Sequence, residues 1–182
     1  ARELTETLER LRRAGRIRLL GKEFSEAFLE GVFFVFSATD DAGLNRRVSQ
    51  AAQQRGLLVN AVDQPADCTF IVPSVLSRGN LLIAVSTSGK SPAFARKVRV
   101  ELERHFGEEY GLFLNLMGNL RKEILSLGLP QERNKTVFEQ LVHSDLLAAI
   151  REKNWDLASQ IIGGILGRPV SKNRILDFLK AE

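Results

Sequence analysis

A run of five apolar residues, Val32 to Phe36, constrains the fold of this chain more than any other feature. An unbroken apolar run of this length is typical of a strand that is buried on both faces of a parallel sheet. The pattern continues with a helix predicted at 44–55, whose apolar residues form one stripe, and with another strand predicted at 57–61. A strand, a helix and a strand in this order predict a right-handed βαβ unit.

Polar residues follow each of these two strands. Thr39 and Asp40 come directly after the first strand, and Asp63 comes after the second. Such sheets bind ligands in the loops at the carboxyl ends of their strands, so these positions are candidates for a ligand site. Structural roles would also explain them, because Asp40 or Asp41 can cap the next helix and Asp63 can form an Asx-type turn before Pro65.

The remaining segments complete an α/β pattern. Further strands are predicted at 17–20, 69–72 and 81–86, the last two joined through Pro73 and a turn at 77–80. A helix is predicted from Ser91-Pro92 to about Phe106, because proline is well tolerated in the first helical turn. Helical spacing dominates from Glu108 onward, with breaks at 128–130 and near Asn154, so the last third is predicted to be all helical.

Composition excludes several classes of protein. No apolar run reaches the roughly 18 residues that a membrane span needs, and a lone cysteine, Cys68, cannot close an internal disulfide. With no secretion signal at the N-terminus, these features favour a cytoplasmic protein. The net charge of +4 suits an anionic partner, either nucleic acid, a phosphate or a polycarboxylate. Arginine and glutamate share the first helix, which indicates a solvated face rather than a nucleic-acid-binding stripe.

Four motifs occur in an order that identifies a family. They are Ala38-Thr39-Asp40, Asn60-Ala61-Val62-Asp63, Phe70-Ile71-Val72-Pro73 and Ser86-Thr87-Ser88-Gly89-Lys90-Ser91-Pro92. The chain resembles the siroheme synthase dehydrogenase-chelatase family, whose blocks are Ala-Thr-Asp, Asn-Val-Val-Asp, Phe-x-x-Pro and Ser-Ser-Gly-Gly-x-Ser-Pro. The resemblance runs from about residue 1 to about residue 166. The family's double glycine is Ser88-Gly89 in this chain.

The resemblance implies a fold in three parts. These are a Rossmann-like dinucleotide-binding domain at 1–72, a strand-and-helix dimerisation segment at 73–107 and an all-helical domain at 108–182. The implied fold class is α/β with a partial parallel sheet. A strand followed by Gly-x-Gly-x-x-Gly, the usual pyrophosphate-binding turn, is absent from the sequence. We therefore expect the first βαβ of the dinucleotide-binding domain to be missing from this chain.

The resemblance also implies an activity. The expected reaction is the NAD-dependent oxidation of precorrin-2 to sirohydrochlorin, followed by insertion of Fe²⁺ to give siroheme, in a homodimer with no bound metal of its own. Asp63 falls on the family's catalytic residue and would act as a base. Residues near the cofactor would be Ala38, Thr39, Asp40 and Asn60. Residues that would bind the substrate carboxylates are Ser86, Thr87, Ser88, Lys90 and Arg96.

Other interpretations of the same sequence stay open. A polar turn that caps the following helix would explain 86–91 equally well. The chain could be a dehydrogenase without chelatase activity, or a non-catalytic nucleotide-binding module. We do not expect the chain to bind nucleic acid or a membrane.

Overall fold

A computed structural model of the chain describes residues 3–180 and shows two compact units. The first unit comprises Ala1–Val72 with Ser88–Lys90, and the second comprises Pro73–Thr87 with Ser91–Glu182. The predicted division at residues 72 and 107 into three parts stays a prediction.

The first unit is built around a parallel pair of strands. Its described elements are α1 (Glu6–Arg13), a 3₁₀ turn (Glu26–Leu29), β1 (Phe34–Ser37), α2 (Ala42–Gln54), β2 (Leu58–Ala61) and a second 3₁₀ turn (Pro65–Asp67). β1 and β2 are parallel, with Phe34 opposite Leu58 and Ser37 opposite Ala61. The predicted βαβ unit is confirmed.

Helix α2 supplies half of the buried apolar residues of the first core. The Asp41 carboxylate accepts a hydrogen bond from the Leu44 N–H, so Asp41 rather than Asp40 caps this helix. The apolar side of α2 packs against β1 and β2, as its sequence spacing predicts. The buried apolar residues of this cluster are Leu29, Val35, Val48, Ala51, Ala52 and Val59.

The prediction that the first strand is buried on both faces is wrong. Val35 packs into the core with α2, but Phe34 and Phe36 on the opposite face are 52% and 60% exposed. These two rings make edge contacts with Phe70, at centroid distances of 5.6 and 5.5 Å. Among the described residues of the first unit, no helix covers this face of the strand pair.

Helix α1 is amphipathic in sequence but buries none of its residues. Arg12 and Arg13 both bind the Glu9 carboxylate, and the hydrogen bond from Arg12 is the main reason why the pKa of Glu9 falls to about 2. This is the solvated mixed-charge face that the sequence indicates.

Two predicted strands are not formed. Residues 17–20 are irregular, because no described strand pairs with them to bind their backbone groups. Residues 69–72 are also irregular, although the Thr69 N–H donates to the Val59 carbonyl at 2.8 Å and the Asn60 amide donates to the Phe70 carbonyl at 3.1 Å. The Thr69 hydroxyl also accepts from the Val59 N–H at 2.8 Å. One backbone bond and the side chains of Asn60 and Thr69 thus connect this segment to β2 in place of a ladder.

The second unit begins with an antiparallel hairpin. β3 (Ser74–Arg78) pairs with β4 (Leu81–Val85) across the two-residue turn Gly79-Asn80, where Gly79 has a φ of 56°. Glycine adopts this left-handed conformation at little cost, which favours the tight turn. The strand predicted at 81–86 and its turn are confirmed, but its partner begins at Ser74, after Pro73.

Helices make up the rest of the second unit, as predicted. They are α3 (Pro92–His105), α4 (Glu109–Ser126), α5 (Gln131–His143), α6 (Leu146–Arg151), α7 (Trp155–Leu166) and α8 (Lys172–Phe178). Ser91 caps α3 and Asn154 caps α7. Burial of each leucine or isoleucine contributes roughly 1.5–3 kcal/mol. The largest fully buried side chains of this core are Leu116, Leu120, Ile124, Leu141, Leu146, Ile150, Ile162 and Ile175.

The α/β class is confirmed by the parallel strands, the hairpin and the helical second unit. None of the helices that the structure describes has the length and apolar character needed to cross a bilayer.

The hairpin turn contacts α4 at a glycine. A Cβ added to Gly111 would lie 2.9 Å from the Arg78 carbonyl oxygen and 3.4 Å from the Gly79 nitrogen. The Arg78 side chain strengthens the same junction, because its Nε donates to the Phe106 carbonyl at 2.9 Å. Only glycine at 111 permits this approach of two backbones.

We predict that Gly111→Ala lowers the free energy of unfolding by about 1–3 kcal/mol, because the hairpin must move away from α4. Urea denaturation of the two proteins measures this difference. Gly118→Ala in the same helix is the matched control, since nothing lies within 4 Å of an added Cβ there. The control should be neutral or stabilising by up to about 1 kcal/mol. Equal effects of the two substitutions would contradict the close approach.

Candidate active site at the carboxyl ends of the parallel strands

Two loops leave the same edge of the parallel pair. The Val62 N–H donates to the Ser37 carbonyl at 2.9 Å, and the Gln64 side-chain amide donates to the Ala42 carbonyl at 3.1 Å. These bonds join the two residues that flank the loop after β1, residues 38–41, to the loop after β2, residues 62–64. The structure therefore brings Thr39, Asp40 and Asp63 to one edge of the sheet.

Asp63 has an uncommon backbone conformation. Its φ is 59°, in the left-handed region, which costs a residue with a side chain roughly 1 kcal/mol. The turn is closed by a hydrogen bond of 3.2 Å from the Gln64 N–H to the Ala61 carbonyl. Asp63 is exposed, and no hydrogen bond or ion pair to its carboxylate is found within residues 3–180. The carboxylate is thus available to a ligand.

The half-buried thiol of Cys68 contacts the backbone of the turn that contains Asp63. The Ala61 N–H donates to Sγ at 3.1 Å, and the thiol lies 3.3 Å from the carbonyl oxygens of both Ala61 and Gln64. Cys68 therefore contacts the backbone on both sides of Asp63. The sequence does not reveal this role, because it depends on how the chain folds back after the 3₁₀ turn.

A buried asparagine organises the other loop. The side chain of Asn45, which is 3% exposed, hydrogen-bonds to Ser37 and to both the backbone and the hydroxyl of Thr39. The available signal in the sequence is a polar residue beside Leu44 and three residues before Val48, on the apolar side of α2.

The other residues predicted to bind the cofactor differ in their surroundings. Ala38 and Asp40 are exposed, and their N–H groups have no acceptor in the described part of the chain. Asn60 is half-buried on β2, where its amide is already bonded to the Phe70 carbonyl. Gln64, which is not among the predicted residues, carries a buried side-chain oxygen, Oε1, for which residues 3–180 provide no donor.

The Ser88-Gly89 turn lies against the segment that follows Asp63. Both residues have left-handed backbones, with φ values of 53° and 76°. A Cβ at Gly89 would lie 3.3 Å from Cβ of Pro65 and 3.4 Å from Cδ1 of Ile71. Ser88 and the exposed Lys90 therefore belong to the first unit together with Asp63.

The other predicted substrate-binding residues, Ser86, Thr87 and Arg96, belong to the second unit. The Thr87 hydroxyl accepts a hydrogen bond of 3.1 Å from the Ser91 N–H, just before α3 begins. Ser86 is exposed at the end of β4, and Arg96 is exposed on α3 with Ala93 and Lys97 nearby.

Metal ligands are not clustered in the residues that the structure describes. No group of three or more His, Cys, Asp or Glu residues there could hold a metal ion.

Two family models match the chain in sequence. One, described as "Putative NAD(P)-binding", matches residues 1–74, and the other, described as "Sirohaem biosynthesis protein central", matches residues 78–105. The first range contains both loops of the sheet edge, and the second contains most of the hairpin and α3.

Curated relatives are similar over most of the chain. The siroheme synthase of Methylobacillus flagellatus is 38% identical over 168 residues, which are 89% of this chain and 36% of that protein. The siroheme synthase of Sodalis glossinidius is 50% identical over 103 residues, which are 57% of this chain and 22% of that protein. The chain thus spans a fifth to about a third of the length of these relatives.

A solved structure shares the fold. The protein described as "SirC, precorrin-2 dehydrogenase" superimposes with a TM-score of 0.75 and 21% sequence identity, over 91% of this chain and 79% of that one. This likeness confirms the predicted α/β fold class. From the two matched models and the relatives' identity, the chain belongs to the family of siroheme synthase N-terminal modules.

Proposed function

We propose that the chain acts in siroheme biosynthesis and oxidises precorrin-2 to sirohydrochlorin with NAD⁺, with Asp63 as general base. The observation that carries the proposal is the Asp63 carboxylate, exposed and without a protein partner among residues 3–180, at the edge where the β1 loop also lies. A carboxylate that serves only the fold would be expected to bond to its own turn or to a neighbouring cation.

The reaction needs a base beside the macrocycle. Oxidation removes two hydrogens from precorrin-2, one as a hydride and one as a proton. When bound, NAD⁺ supplies the acceptor for the hydride. Asp63 would take the proton at a carboxylate oxygen, and its fixed turn would orient that oxygen toward the ring.

The residues at the sheet edge suit one side of a dinucleotide. The N–H groups of Ala38 and Asp40 are donors without acceptors, and Gln64 Oε1 is a buried acceptor without a donor. Such groups favour a polar ligand, because a buried unpaired oxygen costs about 1–3 kcal/mol. The described residues contain no Gly-x-Gly-x-x-Gly turn, so we assign the pyrophosphate contacts to none of them.

The proposed substrate is a polycarboxylate, and cationic and hydroxyl side chains are the groups that would bind its carboxylates. We assign this binding to Ser86, Thr87, Ser88, Lys90 and Arg96. Lysine and arginine form charge-assisted hydrogen bonds with carboxylates, and both of these side chains are exposed.

We extend the proposal to insertion of Fe²⁺ into sirohydrochlorin. The metal is a substrate here, and its entry displaces two pyrrole protons from the ring. Asp63 would accept one of them and solvent water the other. Because Asp63 is exposed, it would lose its proton to solvent after each reaction, so a single carboxylate would serve both steps. We place these reactions in the cytoplasm, where the free thiol of Cys68 stays reduced.

We also propose that the chain forms a homodimer through the hairpin and α3. Leu82 on β4 and Phe94 on α3 are 66% and 55% exposed, although both are large apolar side chains. Val75 on β3 and Val100 on α3 are also exposed. Several apolar side chains left in water on one segment are typical of a protein interface.

We predict that Asp63→Asn lowers the rate of precorrin-2 oxidation by about 10²- to 10⁴-fold, the usual contribution of a general base. Asparagine tolerates the left-handed backbone, so the turn should be kept while the charge is lost. NADH formation from precorrin-2 and NAD⁺ measures the rate, and addition of Fe²⁺ then tests siroheme formation.

The matched control for this substitution is Asp67→Asn. Asp67 lies four residues further along and pairs with Arg46 at 3.3 Å, so its loss removes the same charge without touching the proposed base. The control should retain its rate. A wild-type rate in Asp63→Asn would overturn the role of Asp63, and the absence of oxidation by the unmodified protein would overturn the proposed reaction.

For the dimer, we predict that Phe94→Asp converts the protein to monomer, because a carboxylate is costly to bury at an interface. Sedimentation velocity measures the change. Val142→Asp on α5 is the control, since Val142 is 53% exposed outside the proposed interface and its replacement should leave the mass unchanged. A monomeric unmodified protein would contradict the proposal.

A further inference from the structure

We infer that Asn45 is a positioning residue for the cofactor: its buried amide holds the loop after β1 in the form that meets the dinucleotide. In this assignment the Thr39 hydroxyl belongs to the same internal network and does not contact the ligand. The inference rests on the proposed function, because that function supplies the dinucleotide.

The geometry of the Asn45 side chain supports this role. Oδ1 accepts from the Ser37 hydroxyl at 2.8 Å, from the Thr39 hydroxyl at 2.7 Å and from the Thr39 N–H at 3.1 Å. Nδ2 donates to the Thr39 carbonyl at 3.0 Å. One amide thus binds the N–H and the carbonyl of the same residue, as a neighbouring strand would. This fixes the backbone where β1 passes into its loop.

The burial of Asn45 and Ser37 shows that this side of the network is internal, while Thr39 lies at the surface. Asn45 and Ser37 are both 3% exposed, and they lie close to an otherwise apolar cluster. A buried amide is tolerated only when its hydrogen bonds are made, and a satisfied network of this kind holds one conformation. An apolar residue would fill the same space without fixing the loop.

The network decides which groups of the loop are left for a ligand. The Thr39 N–H and carbonyl are taken up by Asn45, and the Thr39 hydroxyl lies 2.7 Å from Oδ1 and 3.1 Å from the Asp41 carbonyl. The N–H groups of Ala38 and Asp40, on either side, have no acceptor in the described residues. The loop would therefore meet a dinucleotide through backbone donors whose direction Asn45 sets.

The test is the affinity of the full-length protein for NADH, followed by the fluorescence of NADH itself. Asn45→Asp keeps one acceptor oxygen but places the other against the Thr39 carbonyl, where Nδ2 now donates. We expect a Kd increased about tenfold or more, which corresponds to the loss of one or two hydrogen bonds. Thr39→Val removes the hydroxyl that bonds to Asn45 and should also weaken binding.

A second readout needs no ligand. Hydrogen exchange of the Thr39 N–H, measured by NMR, should be faster in Asn45→Asp than in the unmodified protein, because its acceptor is disturbed. Asn119→Asp on α4 is the matched control. The Asn119 amide donates to the carbonyls of Asn115 and Phe178, both at 3.1 Å, so its loss should lower stability without changing the NADH Kd.

Each outcome decides one of the two claims. If the unmodified full-length protein binds NADH and its Asn45→Asp variant binds it equally well, the positioning role is overturned. If the unmodified full-length protein does not bind NADH, the proposed cofactor is overturned. In that case the exchange rate of the Thr39 N–H still tests whether Asn45 fixes the loop after β1. Faster exchange in Asn45→Asp supports that role of Asn45, and an unchanged rate overturns it.

Discussion

The parallel pairing of β1 and β2 is the constraint on which the candidate site depends. Because the strands run in the same direction, both loops leave at one edge, and the register sets Ser37 opposite Ala61. An antiparallel pair of the same strands would send the loops to opposite edges and separate Asp63 from Thr39 and Asp40. Helix α2 makes the parallel arrangement possible, since it crosses between the strands and buries its apolar side against them.

Two features at this edge of the sheet lower the stability of the fold while the loops around them are held in one conformation. Asp63 holds a left-handed backbone, and Gln64 buries an oxygen without a partner among the described residues. Two polar side chains inside the first unit, Asn45 and Cys68, tie the loops to the strand ends. Strain and unpaired polar groups of this kind concentrate at functional sites, where they keep reacting groups in place.

Much of the fold could be predicted because its signals are local. Helical spacing, the Ser91-Pro92 start of α3 and the break near Asn154 predict elements that the structure confirms. The failures have a shared cause. Residues 17–20 and 69–72 have the composition of strands, but a strand also needs a partner for its backbone, and the described residues supply no ladder. Exposure of Phe36 likewise depends on what covers the sheet, which its own neighbours in sequence do not specify.

The residues of the candidate site likewise include some that the sequence predicts and some that it does not. The motif resemblance picks out Asp63 and the 38–40 loop, which the structure brings to one edge. The roles of Asn45 and Cys68 could not be predicted, because they arise when a helix or a returning segment meets a strand end. The choice between Asp40 and Asp41 as the cap also required coordinates, since either residue type caps a helix equally well.

The central claim, that the Asp63 carboxylate faces the tetrapyrrole, is tested most directly by carbodiimide labelling of carboxylates with and without sirohydrochlorin. Asp63 is exposed, so it should react in the free protein and be protected, by about tenfold or more, at saturating tetrapyrrole. Asp177, whose side chain is 67% exposed on α8, serves as the internal reference and should react equally in both samples. Unchanged labelling of Asp63 while absorbance shows the tetrapyrrole bound would contradict the account.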